Sequence, residues 1–163
     1  MKVVLLDTHS FLWFIAGSPR LSAKARLVIE DPEFGKRLSV ASLWEMAIKA
    51  SLGKLSVIEP SLGKLSVAES NERLLRTDSD IARMRQAKLS AAGPIERFLA
   101  EQLEMNGIVA LTIRPEHALK VAALPFHHRD PFDRLLIAQC LTDKIPIVST
   151  DAALDPYGIT RLW

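Results

Sequence analysis

The chain is short of the features that mark several protein classes. It has one cysteine, Cys140, among 163 residues. No intrachain disulfide can form, and the place of Cys140 in an apolar helical run reads as a buried, inert thiol. No apolar run reaches the length of a membrane span, since Asp7 interrupts the apolar start and nothing later is long enough. Neither a signal peptide nor a membrane helix is read, and a reducing cytoplasm is the expected location. No sign of charge dominates: the formal net charge is +2, so any binding of an anionic polymer must come from local patches. What is present is 48% hydrophobic and 25% charged residues. That is a soluble globular composition, at a length that supports one domain with a full core.

Short aliphatic runs alternate with helical stripes along most of the chain. Residues 3–7 (VVLLD) read as a strand buried on both faces. A short helix is expected over 11–16, closed by Gly17-Ser18-Pro19. Ser22 is expected to cap a second helix running to about Asp31, with Ala25, Val28 and Ile29 facing inward. A second strand is read at 38–40, and Ser42 with Glu45 has the capping-box spacing of a helix start, with Gly53 at its end. Residues 95–106 form an amphipathic pattern ended by Gly107. A third strand (108–113), a helix from Pro115 through Ala123 and a long helix from Pro131 to about Asp143 follow, the last with Leu135, Leu136, Ala138 and Leu141 buried. A fourth strand (145–149), a short helix after Asp151 and an edge strand (159–163) complete the chain. Strand–helix alternation of this kind implies an α/β fold, a parallel sheet with helices on both faces.

One stretch is anomalous. SLGKLSVIEP (51–60) is followed by SLGKLSVAES (61–70), a near-perfect tandem copy. Two copies are too few for a solenoid. The pair reads either as a local duplication tolerated on the surface or as a hairpin of LSVIE with LSVAE. Thr77 to Asp80 can then cap a helix to about Ser90. The chain is expected to be a single domain, 1–163, with an insert at about 56–93.

Asp7, Glu45, Asp133 and Asp151 each stand where a strand should hand over to a helix. In an open parallel sheet the carboxyl ends of the strands converge on one edge. Each acid has a local explanation as well. Glu45 can partner Ser42, Asp130 can cap the helix opened by Pro131 and so put Asp133 in its first turn, Asp151 can cap the last short helix, and Asp7 can close a turn. Acidic groups in a first helical turn gain only about 0.3–1 kcal/mol from the helix dipole. Their joint placement asks for more, because clustered carboxylates repel. A hard divalent cation answers that, and an oxygen-only donor set without cysteine or paired histidine ligands favours Mg²⁺ or Mn²⁺ over Zn²⁺. Carboxylate-held metal with open positions suits phosphodiester hydrolysis. Thr8, Ser149 and Thr150 adjoin the acids as helix caps or substrate contacts. His127-His128-Arg129 forms a compact positive patch that can receive a phosphate or lie solvated. His9 can be a ligand, a base or a backbone partner. Lys49, four residues after Glu45, suits a helix ion pair. Trp13, Phe14 and Trp44 read as core or dimer packing, with base stacking the weaker reading.

The segments LLDTHSFLWFIAG, ASLWEMAIKASLGKL, RDPFDRLLIAQC and IVSTD, in this order, resemble the PIN-domain family and within it the bacterial toxins of VapC type. The resemblance covers residues 1 to about 55 and about 95 to 163. It implies a three-layer α/β/α fold with a central parallel sheet of about four to five strands. It also implies a divalent-metal-dependent endoribonuclease, homodimeric, with an antitoxin protein as partner and RNA as substrate. Carried over by position, Asp7 matches the acid that ends the first strand, Glu45 the helix glutamate, Asp133 the aspartate that opens the D-x-L-L-I-A helix, and Asp151 the last acidic position. These four are the expected catalytic residues and metal ligands, with Thr8, Thr150 and Arg129 as expected substrate contacts. Asp130 belongs to the same signature with capping as its expected role. The insert departs from the family pattern and bears on the dimer surface, the antitoxin groove and substrate access.

Two rival functions stand beside this one. A Mg²⁺-dependent phosphatase of the aspartyl-phosphate kind would need a second Asp two residues after the first, where this chain has His9. A non-catalytic module whose acidic pocket holds a partner's arginine would show neither metal-dependent stabilisation nor RNA cleavage.

Overall fold

The computed structural model describes residues 2–58, 64–67 and 95–163. Five strands form one sheet: β1 (Lys2–Leu6), β2 (Phe34–Ser39), β5 (Ile108–Leu111), β6 (Ile147–Val148) and β7 (Arg161–Leu162), in the spatial order β5-β2-β1-β6-β7. Every pair in it is parallel. The helices are α1 (Thr8–Ile15), α2 (Ala23–Glu30), α3 (Val40–Ser51), α4 (95–105), α5 (Pro115–Ala122) and α6 (Pro131–Asp143), with a 3₁₀ turn at Ala152–Tyr157.

Alternation along β1 divides the core. Val4 and Leu6 face one cluster with Phe11, Ala25, Ile29, Met46 and Phe98, which belongs to α1–α4. Leu5 faces the other with Leu136, Ile137, Cys140 and Tyr157, which belongs to α6 and the 3₁₀ turn. The sheet is therefore the middle of three layers, and the α/β/α arrangement implied by the sequence is present. Each fully buried aliphatic side chain contributes about 1.5–3 kcal/mol. Cys140 is buried in the second cluster, and burial pushes its thiol up to about 12, in keeping with an inert residue.

Several boundaries differ from the sequence expectation. The second strand begins at Phe34, and α3 begins at Val40 with the Ser39 hydroxyl accepting from the Ala41 N–H at 3.0 Å. Ser42 and Glu45 are therefore not a capping box. Glu45 sits in the second turn, and the Ser42 hydroxyl is buried without a hydrogen-bond partner among the described residues. The first helix starts at Thr8 rather than Phe11, directly after Asp7. Ser22 caps α2 as expected, accepting from the Ala25 N–H at 3.1 Å, and Ala25 and Ile29 are buried. In α6, Leu136 and Ala138 are buried while Leu135 and Leu141 are only half-buried. The duplicated segments pair as antiparallel strands β3 (Leu55–Ile58) and β4 (Lys64–Val67), with Ser56 opposite Ser66, which is the hairpin reading. The helix expected over 77–90 lies outside the described residues. Among them, no helix is long and apolar enough to cross a membrane.

The sharp turn from α6 into β6 rests on Lys144, which takes a left-handed conformation with φ of 54°. Glycine holds that conformation without the side-chain clash that other residues meet there. Lys144→Gly is expected to raise the urea midpoint by the equivalent of about 0.5–1 kcal/mol with an unchanged slope. A drop in the midpoint would show that Lys144 contributes through its side chain instead.

Candidate metal centre

The strand order reverses between β1 and β6: β1 pairs with β2 on one side and β6 on the other. Side chains at the carboxyl ends of these strands open onto a crevice, the usual ligand position in such sheets. Asp7 follows β1 and Ser149 follows β6. The Ser149 hydroxyl donates to Asp7 Oδ2 at 2.8 Å and accepts the Asp151 N–H at 3.1 Å. Asp7 occupies the N-cap position of α1 but makes no side-chain cap bond, which leaves its carboxylate for the crevice.

Glu45 reaches the same crevice from α3. Its Oε2 accepts the Thr8 hydroxyl at 2.7 Å, and its Oε1 pairs with Lys49 Nζ at 2.6 Å. Asp133 comes from the first turn of α6. There Asp130 is the cap, its Oδ1 accepting from the Phe132 and Asp133 N–H groups at 2.8 and 3.4 Å. Asp151 caps the 3₁₀ turn through Oδ1, which accepts from the Ala153 N–H at 2.9 Å, and turns Oδ2 toward His128 Nε2 at 3.0 Å. His128 Nε2 also stands 3.4 Å from Asp133 Oδ2. The capping explanation and the crevice explanation thus hold together for Asp151.

The four acids form a graded site. Asp7 is 5% exposed at the floor, and the Asp151 side chain is 40% exposed at the mouth. Burial pushes the Asp7 carboxyl up from its ordinary value, against the Ser149 hydrogen bond and the charge of His9, while Glu45 adds to the rise. Asp133 is pushed up to about 7, by burial first and then by Asp7 and Asp130. Asp7, Glu45 and Asp133 therefore repel one another across the crevice, and Asp7 and Asp133 hold their protons more tightly for it. One nitrogen of His128 and one oxygen each of Asp133 and Asp151 lie within 4.8 Å of one another. The mutually repelling carboxylate oxygens of the crevice fit a hard divalent cation.

The other expected site residues fall into place differently. Thr8, expected as a substrate contact, is buried and donates its hydroxyl to Glu45. Thr150, Arg129 and His127 are exposed at the rim, and His127 packs edge-on to Tyr157. His128 faces the carboxylates instead of open solvent, so it is not the phosphate-docking group the HHR run implied. His9 is exposed beside Trp13. Lys49 makes the helix ion pair expected of it. Trp44 is 59% exposed and meets Phe132 edge-on at 5.3 Å, so it is not a core residue. Sequence reasoning passed over Arg134 and Tyr157, which organise the loop before α6. The only signal was the charged residue directly after Asp133 in an otherwise apolar helical run.

In the unfolded chain Asp133 ionises near 3.8, whereas in the fold its proton is held to about 7. Between those values the native state binds more protons, so rising pH destabilises the metal-free protein. Urea unfolding in chelator should show wild type losing on the order of 1–2 kcal/mol relative to Asp133→Asn between pH 4 and 8, a discounted figure because Asp133 keeps an edge in solvent. Parallel pH profiles for the two proteins would overturn the assignment of that proton.

The PIN domain family model matches residues 4–158. No curated protein matches the chain in sequence. Among solved structures it is similar to a chain of VapBC2 from Rickettsia felis, crystallised bound to a DNA fragment from their promoter. The TM-score is 0.55 at 9% identity, over 98% of this chain and 97% of that one. That likeness speaks for the fold, and the family match covers nearly the whole sequence, including all four acidic positions: the chain belongs to the PIN domain family, whose members are nucleases.

Proposed function

We propose that the protein is a divalent-metal-dependent endoribonuclease, the toxin of a VapC-type toxin–antitoxin pair. The observation that carries this reading is the convergence of Asp7, Glu45, Asp133 and Asp151 on one crevice at the β1–β6 reversal, linked through Ser149, His128 and Thr8. The family supports nuclease chemistry, and the structural likeness to VapBC2 supports a protein antitoxin as partner.

In this reading Asp7, Glu45, Asp133 and Asp151 hold Mg²⁺ or Mn²⁺. When bound, such a cation makes water a stronger nucleophile at neutral pH and neutralises charge on the phosphate. The protein's own part is positional. Ser149 fixes the rotamer of Asp7, and Thr8 with Lys49 fixes both oxygens of Glu45. Arg129 and Thr150, exposed at the rim, are placed to meet the RNA backbone. In-line attack by water leaves a 5′-phosphate and a 3′-hydroxyl. Base preference then comes from the surrounding loops, since single-stranded RNA is read by stacking and edge contacts. The toxin assignment brings with it a homodimer and a cytoplasmic location.

Purified protein incubated with a mixed RNA pool and Mn²⁺ should cut it, and chelator should stop the cutting. Asp7→Asn, nearly isosteric, should lower the rate more than about 100-fold while the far-UV spectrum stays unchanged. An Asp7→Asn protein that cuts RNA at the wild-type rate would remove the acidic crevice from the reaction.

A further inference from the structure

The loop between α5 and α6 is built around a buried cation. Arg134 is 7% exposed, and its guanidinium nitrogens donate to the carbonyl oxygens of Val121 (3.0 Å), Leu124 (3.2 Å), Pro125 (2.8 Å) and His128 (3.4 Å). It also donates to the Tyr157 hydroxyl at 3.5 Å and lies 4.5 Å from the centre of the Phe126 ring. The Tyr157 hydroxyl in turn donates to the Pro125 carbonyl at 3.1 Å and accepts the His128 N–H at 2.7 Å. A charge buried this deeply is tolerated only when its donors are satisfied, and here the acceptors belong mainly to one loop. Displacing that loop would leave the guanidinium unpaired, so Arg134 and Tyr157 hold the backbone of His128 in one place.

The His128 ring is fixed as well. Its Nδ1 accepts the Asp130 N–H at 3.2 Å. An imidazole nitrogen that accepts from a backbone amide carries no proton, so in the neutral ring the hydrogen is on Nε2. Nε2 is the atom that faces Asp151 Oδ2 and Asp133 Oδ2. It meets Asp151 as a donor, with the Asp133 carboxylate directly beside it. Ligation of a metal through Nε2 would need the other tautomer, and that would set Nδ1–H against the Asp130 N–H. The neighbourhood of His128, Asp133 and Asp151 looks like a three-ligand metal site by distance alone, but its hydrogen bonds say otherwise.

We propose that His128, held by Arg134 and Tyr157, is a positioning residue of the acidic crevice: its Nε2–H draws the Asp151 and Asp133 carboxylates together, and it is not itself a metal ligand. The role rests on the metal-binding part of the function proposed above. It gives the histidine of the HHRDPFD run a task apart from phosphate binding. Asp133 stands on α6 and Asp151 on the loop after β6, and the His128 side chain lies between them, hydrogen-bonded to Asp151 and 3.4 Å from Asp133 Oδ2.

The test follows the melting temperature of wild type, His128→Ala, His128→Gln and Tyr157→Phe across a Mn²⁺ titration, a readout independent of catalysis. Glutamine places an N–H near the position of imidazole Nε2 but is a poor metal ligand. His128→Ala should raise the half-saturating Mn²⁺ concentration about 10–100-fold, whereas His128→Gln should stay within about 3-fold of wild type. Tyr157→Phe, which leaves the ring in place but frees the loop, should raise it by on the order of 10-fold. If His128→Ala does not fold, the other two variants still decide. Glutamine as weak as alanine, or weaker than Tyr157→Phe, would make the ring a ligand and overturn the proposal. So would an alanine variant that binds Mn²⁺ like wild type. A wild type that follows this pattern but cuts no RNA would leave the positioning role standing and remove the ribonuclease function. A wild type without any Mn²⁺ response would overturn both.

Discussion

Crowding of carboxylates at the gap between β1 and β6 is the constraint on which the functional end of the molecule depends. A parallel sheet sends the carboxyl end of every strand to the same edge, so acids that follow different strands meet whether or not they are neighbours in sequence. Asp7 lies deepest and Asp133 beside it, and burial with mutual repulsion keeps protons on both at pH values where a free aspartate is ionised. The surrounding residues offset part of that repulsion: a hydroxyl from Ser149 on Asp7, a hydroxyl and an ammonium on Glu45, an imidazole N–H between Asp133 and Asp151. A divalent cation among the four would offset the remainder, because it interacts with all of them at once.

The support beneath the crevice is of two kinds. The floor is apolar and rigid: Leu5, Leu6 and Val148, just before Asp7 and Ser149, are fully buried in the two core clusters that sandwich the sheet. The mouth is polar. The 123–130 loop is folded over Arg134 and Tyr157 through hydrogen bonds to backbone carbonyls rather than through apolar packing. A buried guanidinium satisfied by carbonyls gains little net stability but permits very few loop geometries. Definition of geometry, more than stability, is what such an arrangement contributes to a site that must keep two carboxylates in register.

Legibility in the sequence followed the strength of the local signal. Periodicity and Pro131 marked α6, whereas the duplicated LSV segments left a surface duplication and a hairpin both open until their antiparallel pairing decided it. Where two nearby serines could each cap α3, the pattern favoured Ser42 because Glu45 stands three residues on. The chain uses Ser39, since β2 runs up to it and α3 follows without an intervening loop. That shift is what lets Glu45 leave the helix start and point into the crevice with Thr8. Trp44 read as core or dimer packing by type alone; in the fold it is 59% exposed, with Phe132 edge-on to its ring.

Residue identities, the strand–helix alternation and the positions of the acids at strand–helix junctions were all present in the linear chain. They sufficed for the three-layer fold and, through the resemblance of short motifs, for the family, because both are expressed in runs and spacings of a few residues. Partnerships across many residues were not written there. Ser149 with Asp7, Thr8 with Glu45, and Arg134 with carbonyls as far back as Val121 exist only because the sheet and its crossovers bring these atoms within hydrogen-bond reach. A hydrogen bond depends on distance and angle in space, and one-dimensional periodicity carries neither. The tertiary structure therefore decided that His128 turns inward to the acids and that Thr8 serves Glu45.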